Sequence, residues 1–239
     1  MNISTSVICM NMSQVDRDIE RILKEADGDP RFNWMHMDVM DGHFVPRLGI
    51  SPELIRDIKK EFPQVHIDSH LMIADPFTYV DVIAPYSDWI VYHLEAVTDP
   101  VRTLQKVRKN WPDCKVGLAL NLTTPFDPAQ FQLFDGVMFM GISPGVLGTN
   151  FYPQIVKHKI SICPNSKLFG YPNSKHYFVD GSVNFNTIKD YRAINDNGTL
   201  VCGSSTMFKV DDFTKNMSRE EMIKYNVNRL KEAIGCERQ

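Results

Sequence analysis

Eight short runs rich in β-branched and apolar residues recur along the chain, and amphipathic stretches separate most of them. The runs cover residues 3–10, 33–38, 65–72, 89–93, 115–121, 136–141, 176–180 and 199–203. They begin about every 21 to 40 residues, a spacing that suits a strand, a crossover helix and the next parallel strand. No composition break marks a linker. Eight such units therefore predict an α/β protein with one domain, a single (β/α)8 TIM barrel over residues 1–239.

Helix-start chemistry supports this alternation. Four of the intervening stretches begin with side chains that commonly cap helices, at Ser13, Ser51, Asp75 and Asp99. Proline follows the last three directly, as is typical of a first helical turn. We expect the last helix to run from Ser218 to Ala233, with a frayed tail after about residue 235. Prolines and asparagines interrupt residues 153–173, so we expect a shortened helix and a long loop there.

Composition excludes several classes of protein. Hydrophobic residues make up 43% and charged residues 23% of the chain, which is typical of a globular protein with a sizeable core. A net charge of −3 gives no electrostatic reason to expect a nucleic acid or an anionic membrane as a partner. The chain has no basic apolar leader and no apolar run long enough to span a membrane, so we expect a cytoplasmic location. The five cysteines are scattered, and we expect reduced thiols.

Polar side chains lie toward the ends of several predicted strands, at His36, Asp38, Asp68, His70, His93, Asn121 and Asp180. In a (β/α)8 barrel the carboxyl ends of the strands form the active-site face. Because the side chains of a strand alternate, two residues that are two positions apart share one face. A single strand histidine is more often a hydrogen-bonded core residue, but several buried carboxylates at one barrel mouth need a cation to offset their charge. Two imidazoles and two carboxylates around a divalent ion are formally neutral, so the pattern predicts a metal centre.

The same residues carry a resemblance to a known family. The segments HMDVMDGHFVPRLGIS, DSHLMIADP, YHLEA, GLALNLTTP, MGISPGVLGTNF, VDGSV and CGSS follow one another up to about Phe208. In order and spacing they resemble the ribulose-phosphate 3-epimerase family. Within that family, ISTSVICM near the start and VDGSV are more similar to the D-allulose-6-phosphate 3-epimerase branch.

The resemblance implies an activity and a ligand set. By position, His36, Asp38, His70 and Asp180 would bind one divalent ion, which could be zinc, iron, manganese or cobalt. Asp38 and Asp180 would also serve as acid and base in the epimerisation of a ketose phosphate at C3, since proton removal and return on opposite faces need two proton carriers. No organic cofactor is expected. The expected partner is a small sugar phosphate, and a homo-oligomer is expected.

Further positions match substrate-contacting residues of the family, namely Ser6, Met40, Met72 and Met140. His93 and Asn121 are expected either to bind substrate hydroxyls or to orient the groups that touch the metal. We expect Asp68 either to orient His70 or to accept a hydrogen bond from a neighbouring strand, and not to bind the metal.

The phosphate is expected on the loops after strands six, seven and eight, where backbone N–H groups are accessible. The residues concerned are Gly145, Gly148, Gly181, Ser182, Gly203 and Ser204. This chain departs from the family at Val146 and Leu147, where an aromatic residue and a glycine are usual. One glycine of the phosphate loop is therefore missing, and a stiffer, more apolar loop is expected.

Two alternatives stay open. The barrel class of orotidine-phosphate decarboxylase and hexulose-phosphate synthase normally carries an Asp-x-Lys-x-x-Asp arrangement, and this chain has no lysine within HMDVMDGH, which argues against that class. The altered sixth loop is compatible with a catalytically weak homologue that binds sugar phosphate, although all four ligand positions argue for an enzyme. The sequence leaves open whether the sugar has five or six carbons.

Overall fold

The computed structural model describes residues 1–125, 127–146, 152–162, 176–181, 183–194 and 198–235. Eight parallel strands pair in sequence order, and β8 pairs with β1 to close the barrel. The strands are β1 (Asn2–Ser6), β2 (Trp34–Met40), β3 (His66–Met72), β4 (Trp89–His93), β5 (Lys115–Leu120), β6 (Gly136–Met140), β7 (His176–Asp180) and β8 (Gly198–Cys202). The predicted (β/α)8 barrel is confirmed. None of the helices in the described segments combines the length and the hydropathy that a membrane span requires.

Seven α-helices surround the described part of the barrel. They are α1 (Val15–Ala26), α2 (Pro52–Glu61), α3 (Pro76–Ile83), α4 (Pro100–Asn110), α5 (Pro153–Ile162), α6 (Ile188–Ile194) and α7 (Arg219–Ala233). After β5 a 3-10 turn at Pro128–Phe131 lies where an α-helix would be expected from the repeating pattern. Helix α5 has 10 residues, as many as α2, and the prediction of a long loop falls on positions that lie outside the described residues.

The capping pattern sets most helix starts. The side chains of Ser51, Asp75 and Asp99 accept hydrogen bonds from backbone N–H groups in the first turns of α2, α3 and α4. Ser218 caps α7 in the same way. The prediction at Ser13 was wrong, because α1 begins at Val15 after Gln14, and the Ser13 hydroxyl instead donates to the side chain of Asn11. The predicted frayed tail lies outside the described residues.

Side-chain alternation divides each strand between two cores. On β2, Met35, Met37 and Val39 face the helices and belong to the large apolar core. The barrel interior holds a separate cluster that includes Trp89, Met138 and Phe178. These large side chains fill part of the barrel, so it is a packed core rather than a pore.

The register of β2 against β3 positions the polar side chains. His36 pairs with Asp68, Asp38 with His70, and Met40 with Met72. Cross-strand neighbours in a parallel sheet point to the same face, so all of them share the interior of the barrel. His36 and Asp38 therefore each lie beside a polar side chain of β3.

Candidate metal centre

Four predicted ligands meet at the carboxyl end of the barrel. One ligand atom from each of His36, Asp38, His70 and Asp180 lies within 4.8 Å of all the others. The two histidines are fully buried, and Asp38 is 8% exposed. They come from β2, from β3 and from the last residue of β7. The structure thus brings together side chains that are up to 144 positions apart in the sequence.

The contacts within the cluster alternate between imidazole nitrogen and carboxylate oxygen. His36 Nε2 lies 3.3 Å from Asp38 Oδ1 and 3.8 Å from Asp180 Oδ2. His70 Nδ1 lies 3.2 Å from Asp180 Oδ2 and 3.7 Å from Asp38 Oδ1. Both nitrogens are buried and make no hydrogen bond to the described residues. Two buried nitrogen atoms without partners, facing two carboxylates, are a donor set that fits a divalent transition-metal ion.

Asp68 lies behind His36. Its Oδ2 is 2.5 Å from His36 Nδ1, and its Oδ1 accepts a hydrogen bond from the Ser4 hydroxyl of β1. The expectation that Asp68 orients His70 is therefore wrong, because the in-register neighbour of Asp68 is His36. Accepting hydrogen bonds from neighbouring strands, the other expectation, is confirmed. A carboxylate on Nδ1 keeps Nε2 of His36 available as a ligand.

His93 lies behind His70. The two Nε2 atoms are 2.9 Å apart, and His93 Nδ1 lies 3.2 Å from Glu95 Oε2. Glu95 also accepts hydrogen bonds from the Asn121 backbone N–H at 2.9 Å and from the Thr124 hydroxyl. The Asn121 side-chain oxygen is buried without a partner among the described residues. The predicted alternatives for His93 were substrate binding or orientation, and its contacts are those of an orienting residue.

The electrostatics of the cluster follow from burial and close charges. Burial alone would lower the pKa of His36, but Asp38 and Asp68 outweigh it and raise that pKa well above its ordinary value. Burial raises the pKa of Asp68. Burial also lowers the pKa of His93 to about 4, which keeps its ring neutral near pH 7. Burial opposes ionisation of Glu95, but its hydrogen bonds from His93, Thr124 and Asn121 lower its pKa to about 2.

The predicted substrate-contacting residues line one open cavity beside the cluster. The space within this cavity, including the part that is open to solvent, is about 690 Å³. Ser6, Met40, Met72 and Met140 all line it. The Ser6 hydroxyl donates to Asp38 Oδ2 at 2.9 Å, so it holds the carboxylate oxygen that is turned away from the histidines.

The predicted phosphate residues lie in the wall of the same cavity. Gly145, Gly181, Gly203 and Ser204 line it, while Gly148 and Ser182 lie outside the described residues. Gly145 and Gly181 have φ values of +72° and +77°, which favour glycine. A Cβ on Gly145 would lie 2.8 Å from the Val45 side chain. Glycine at that position lets the loop after β6 approach the loop after β2.

Cys9 and Arg47 are among the cavity residues that the sequence did not reveal. Cys9 was placed on the first strand, but β1 ends at Ser6 and Cys9 lies in the 3-10 turn Val7–Cys9 at the cavity wall. Its thiol is unpaired, as are those of Cys114 and Cys202. Arg47, in the loop after β2, also lines the cavity. A charged residue in a loop carries no periodic signal, so only its position within HMDVMDGHFVPRLGIS could have pointed to it.

Comparison with known proteins agrees with this arrangement. The model of the ribulose-phosphate 3 epimerase family matches residues 2–208. The ribulose-phosphate 3-epimerase of Methanocaldococcus jannaschii is 29% identical over 218 residues, which cover 89% of this chain and 86% of that protein. The ribulose-phosphate 3-epimerase of Escherichia coli K12 is 28% identical over 227 residues, covering 93% of this chain and 96% of that protein.

Solved structures share the fold. The 3-hexulose-6-phosphate synthase of Salmonella typhimurium superposes with a TM-score of 0.61 at 15% identity and covers 98% of both chains. The phosphoribosyl anthranilate isomerase of Thermotoga maritima gives 0.58 at 14% identity, covering 98% of both chains. At this level of identity the likeness concerns the barrel alone.

Proposed function

The chain belongs to the ribulose-phosphate 3-epimerase family, and on that premise we propose that it is a metal-dependent epimerase that inverts C3 of a ketose phosphate. The observation that supports this most strongly is the cluster of two unpartnered imidazole nitrogens and two carboxylates within 4.8 Å of one another, the carboxylates lining the cavity. We propose zinc, iron, manganese or cobalt as the resident ion, because imidazole with carboxylate suits these metals. When bound, such an ion supplies Lewis-acid stabilisation of negative charge on substrate oxygens.

Asp38 and Asp180 are the proposed proton carriers. One carboxylate removes the proton from C3, leaving an enediolate of the substrate, and the other carboxyl group returns a proton to the opposite face. Their strands, β2 and β7, are three places apart around the ring of eight, so the two groups reach the cavity from different directions. The hydrogen bond from Ser6 fixes the Asp38 carboxylate in one orientation.

The three methionines that line the cavity are suited to a position next to the reacting carbon. Met40, Met72 and Met140 are nearly buried, yet each lines the cavity. Thioether side chains cannot exchange protons and fill irregular space. In the proposed site they exclude water from the face of the enediolate, so that protons move only through the two carboxyl groups.

The phosphate end of the substrate is proposed at the loops after β6, β7 and β8. Gly145, Gly181, Gly203 and Ser204 present backbone there, and glycine allows an anion to approach closely. We propose that remote binding of the phosphate contributes to the transition state, so that free sugars are poorer substrates.

D-Ribulose 5-phosphate is the first candidate substrate, because the family model and the curated relatives reported above carry that name. D-Allulose 6-phosphate is the second, favoured by the segments ISTSVICM and VDGSV. A coupled assay that compares the two esters in deuterated water separates them. Epimerisation with deuterium incorporated at C3 of one ester supports the proposal. Binding of both esters without exchange would instead support a catalytically weak homologue.

Replacing each carboxylate by an amide tests whether it carries a proton. We expect Asp38→Asn and Asp180→Asn each to lower kcat at least ~10²-fold, since each removes a proton carrier and a negative charge next to the metal. Circular dichroism should show that both variants stay folded. Near-full activity in either folded variant would contradict the two-carboxylate mechanism.

A further inference from the structure

The cavity wall contains one basic side chain among the described residues. The charged residues that line it are Asp38, Asp180 and Arg47. A divalent ion held by the two carboxylates and two neutral imidazoles leaves that end of the site formally neutral. A substrate phosphate adds a charge of about −1.5 to −2 near pH 7. Arg47 is the described side chain that can offset this charge within the cavity.

Arg47 is held in place by a loop with a defined conformation. The Asp41 carboxylate accepts hydrogen bonds from the backbone N–H groups of His43 at 2.8 Å and Phe44 at 2.9 Å, and from that of Ala74 beyond β3 at 2.8 Å. The Arg47 carbonyl accepts from Gly42 N–H at 3.0 Å, and its own N–H donates to the Val45 carbonyl at 2.7 Å. The backbone at Arg47 is therefore fixed, and only its side chain has conformational freedom to lose on binding.

The same loop touches the proposed phosphate loop. A Cβ on Gly145 would lie 2.8 Å from Val45 Cβ, so these two backbones pass in direct contact. Arg47 follows Val45 by two residues, and Val146 follows Gly145. Arg47 is therefore attached to the segment that packs against the loop after β6, at the edge of the cavity.

The Arg47 guanidinium makes no hydrogen bond or ion pair to the described residues. Most other arginines of the described segments do, as with Arg56 to Asp57 at 2.8 Å and Arg219 to Asp18 at 2.5 Å. An arginine that lines a cavity without a partner offers five donors in a planar fork, which matches the oxygens of a phosphate.

We propose that Arg47 binds the phosphate group of the substrate and determines the preference for a phosphate ester. This inference rests on the proposed function. It also gives a physical compensation for the altered sixth loop, where Val146 has an apolar side chain and its backbone N–H already donates to the Ser143 carbonyl at 3.3 Å. A charge-assisted, forked hydrogen bond from the loop after β2 replaces contacts that a more glycine-rich loop would make with its backbone.

Steady-state kinetics of Arg47→Gln and Arg47→Lys on D-ribulose 5-phosphate and D-allulose 6-phosphate test the proposal. We expect Arg47→Gln to raise KM for the ester that is turned over by roughly 10- to 100-fold with a much smaller change in kcat, because the interaction is made equally in the ground and transition states. Arg47→Lys should recover part of the loss, as it keeps the charge without the fork. The loss should be larger for the ester than for the corresponding free sugar.

Arg56→Gln is the matched control, since Arg56 is an exposed arginine on α2 that pairs with Asp57 and does not line the cavity. An unchanged KM in Arg47→Gln, or an equal rise in Arg56→Gln, would overturn the assignment. If the wild-type protein turns over neither ester, the proposed function fails. Calorimetric titration of the metal-loaded proteins with methyl phosphate then tests whether Arg47 binds phosphate. Weaker binding by at least ~10-fold in Arg47→Gln alone supports the assignment, and equal binding refutes it.

Discussion

Each imidazole that faces Asp38 and Asp180 has its other nitrogen held by a second side chain. His36 is held through Asp68, and His70 through His93 and then Glu95. If Nδ1 of His70 is the ligand atom, its Nε2 carries the proton and donates to His93, which in turn donates from Nδ1 to Glu95. The ionised Glu95 therefore sets the tautomers of both rings. A side chain that accepts a hydrogen bond from the other nitrogen of a ligating histidine orients its ring and raises its basicity.

Glu95→Gln tests this chain of hydrogen bonds. The amide N–H₂ of glutamine would face donors that now point at a carboxylate, so we expect metal affinity to fall by about 10- to 100-fold while the fold is kept. Competition with a chromophoric chelator measures that affinity and needs no enzymatic assay. Glu61→Gln, at the exposed end of α2, is the control. Equal metal affinity in the two variants would mean that Glu95 only anchors the loop after β5.

At the scale of elements, the site depends on strand register and on contact between loops. The pairing of β2 with β3 places His36 beside Asp68 and Asp38 beside His70. A shift of one residue would turn every one of these side chains to the opposite face. Above the strands, the loops after β2 and β6 meet at Val45 and Gly145, where no space is left for a Cβ.

Gly145→Ala should separate these two loops. The added Cβ would lie 2.8 Å from Val45, so we expect KM for the phosphate ester to rise by about 10-fold, because the cavity wall that holds Arg47 moves. Gly28→Ala is a matched control, since Gly28 has a similar φ of +78° but no neighbouring atom within 4 Å of the added Cβ. Both variants should lose about 1 kcal/mol of stability from the positive φ. An equal KM in the Gly145→Ala and Gly28→Ala variants would contradict the claim that contact between the two loops supports substrate binding.

At the scale of the whole molecule, the barrel closes where the two ends of the chain meet. Strand β8 pairs with β1, and α7 packs against α1. Asp18 of α1 is 4% exposed and forms a forked ion pair with Arg219 of α7, with distances of 2.8 Å and 2.5 Å. Asp18 also accepts a hydrogen bond from the Asn11 backbone N–H at 3.0 Å. This ion pair joins the first and last helices across the closure of the barrel.

Asp18→Asn should destabilise the contact between α1 and α7. Removing the charge leaves Arg219 with an incomplete partner, so we expect the free energy of unfolding to fall by about 1–3 kcal/mol in urea denaturation. Glu220→Gln is the control, because Glu220 pairs with Arg21 at 3.0 Å but its side chain is 75% exposed. That exposed pair should contribute less than about 1 kcal/mol. The kinetic constants of the folded enzyme should be the same in both variants, and equal stability losses would contradict the special role of the buried pair.

Local chemistry was enough to predict much of this molecule. The alternation of apolar runs and capped helices predicted eight strands and the barrel, because strand and helix periods and N-cap preferences depend on neighbouring residues only. The spacing of two between His36 and Asp38, and between Asp68 and His70, placed each pair on one face. Ser13 misled at this level, because serine also bonds locally in turns, as it does with Asn11. The first apolar run misled as well, because β1 ends at Ser6 and Cys9 lies in the turn that follows.

Other features depended on how distant strands and loops pack. The partner of Asp68 is decided by the register of β2 against β3, and two strand histidines are equally plausible partners until that register is known. The hydrogen bonds that run from Glu95 through His93 to His70 connect β4 with β3. The position of Arg47 depends on the loop after β2, which is held by hydrogen bonds of Asp41 and Gly42. Sequence patterns report periodicity along one segment, whereas these contacts form between segments that become neighbours only when the barrel closes. Tertiary structure therefore decided which nitrogen of each histidine faces the carboxylates and which cation lines the cavity.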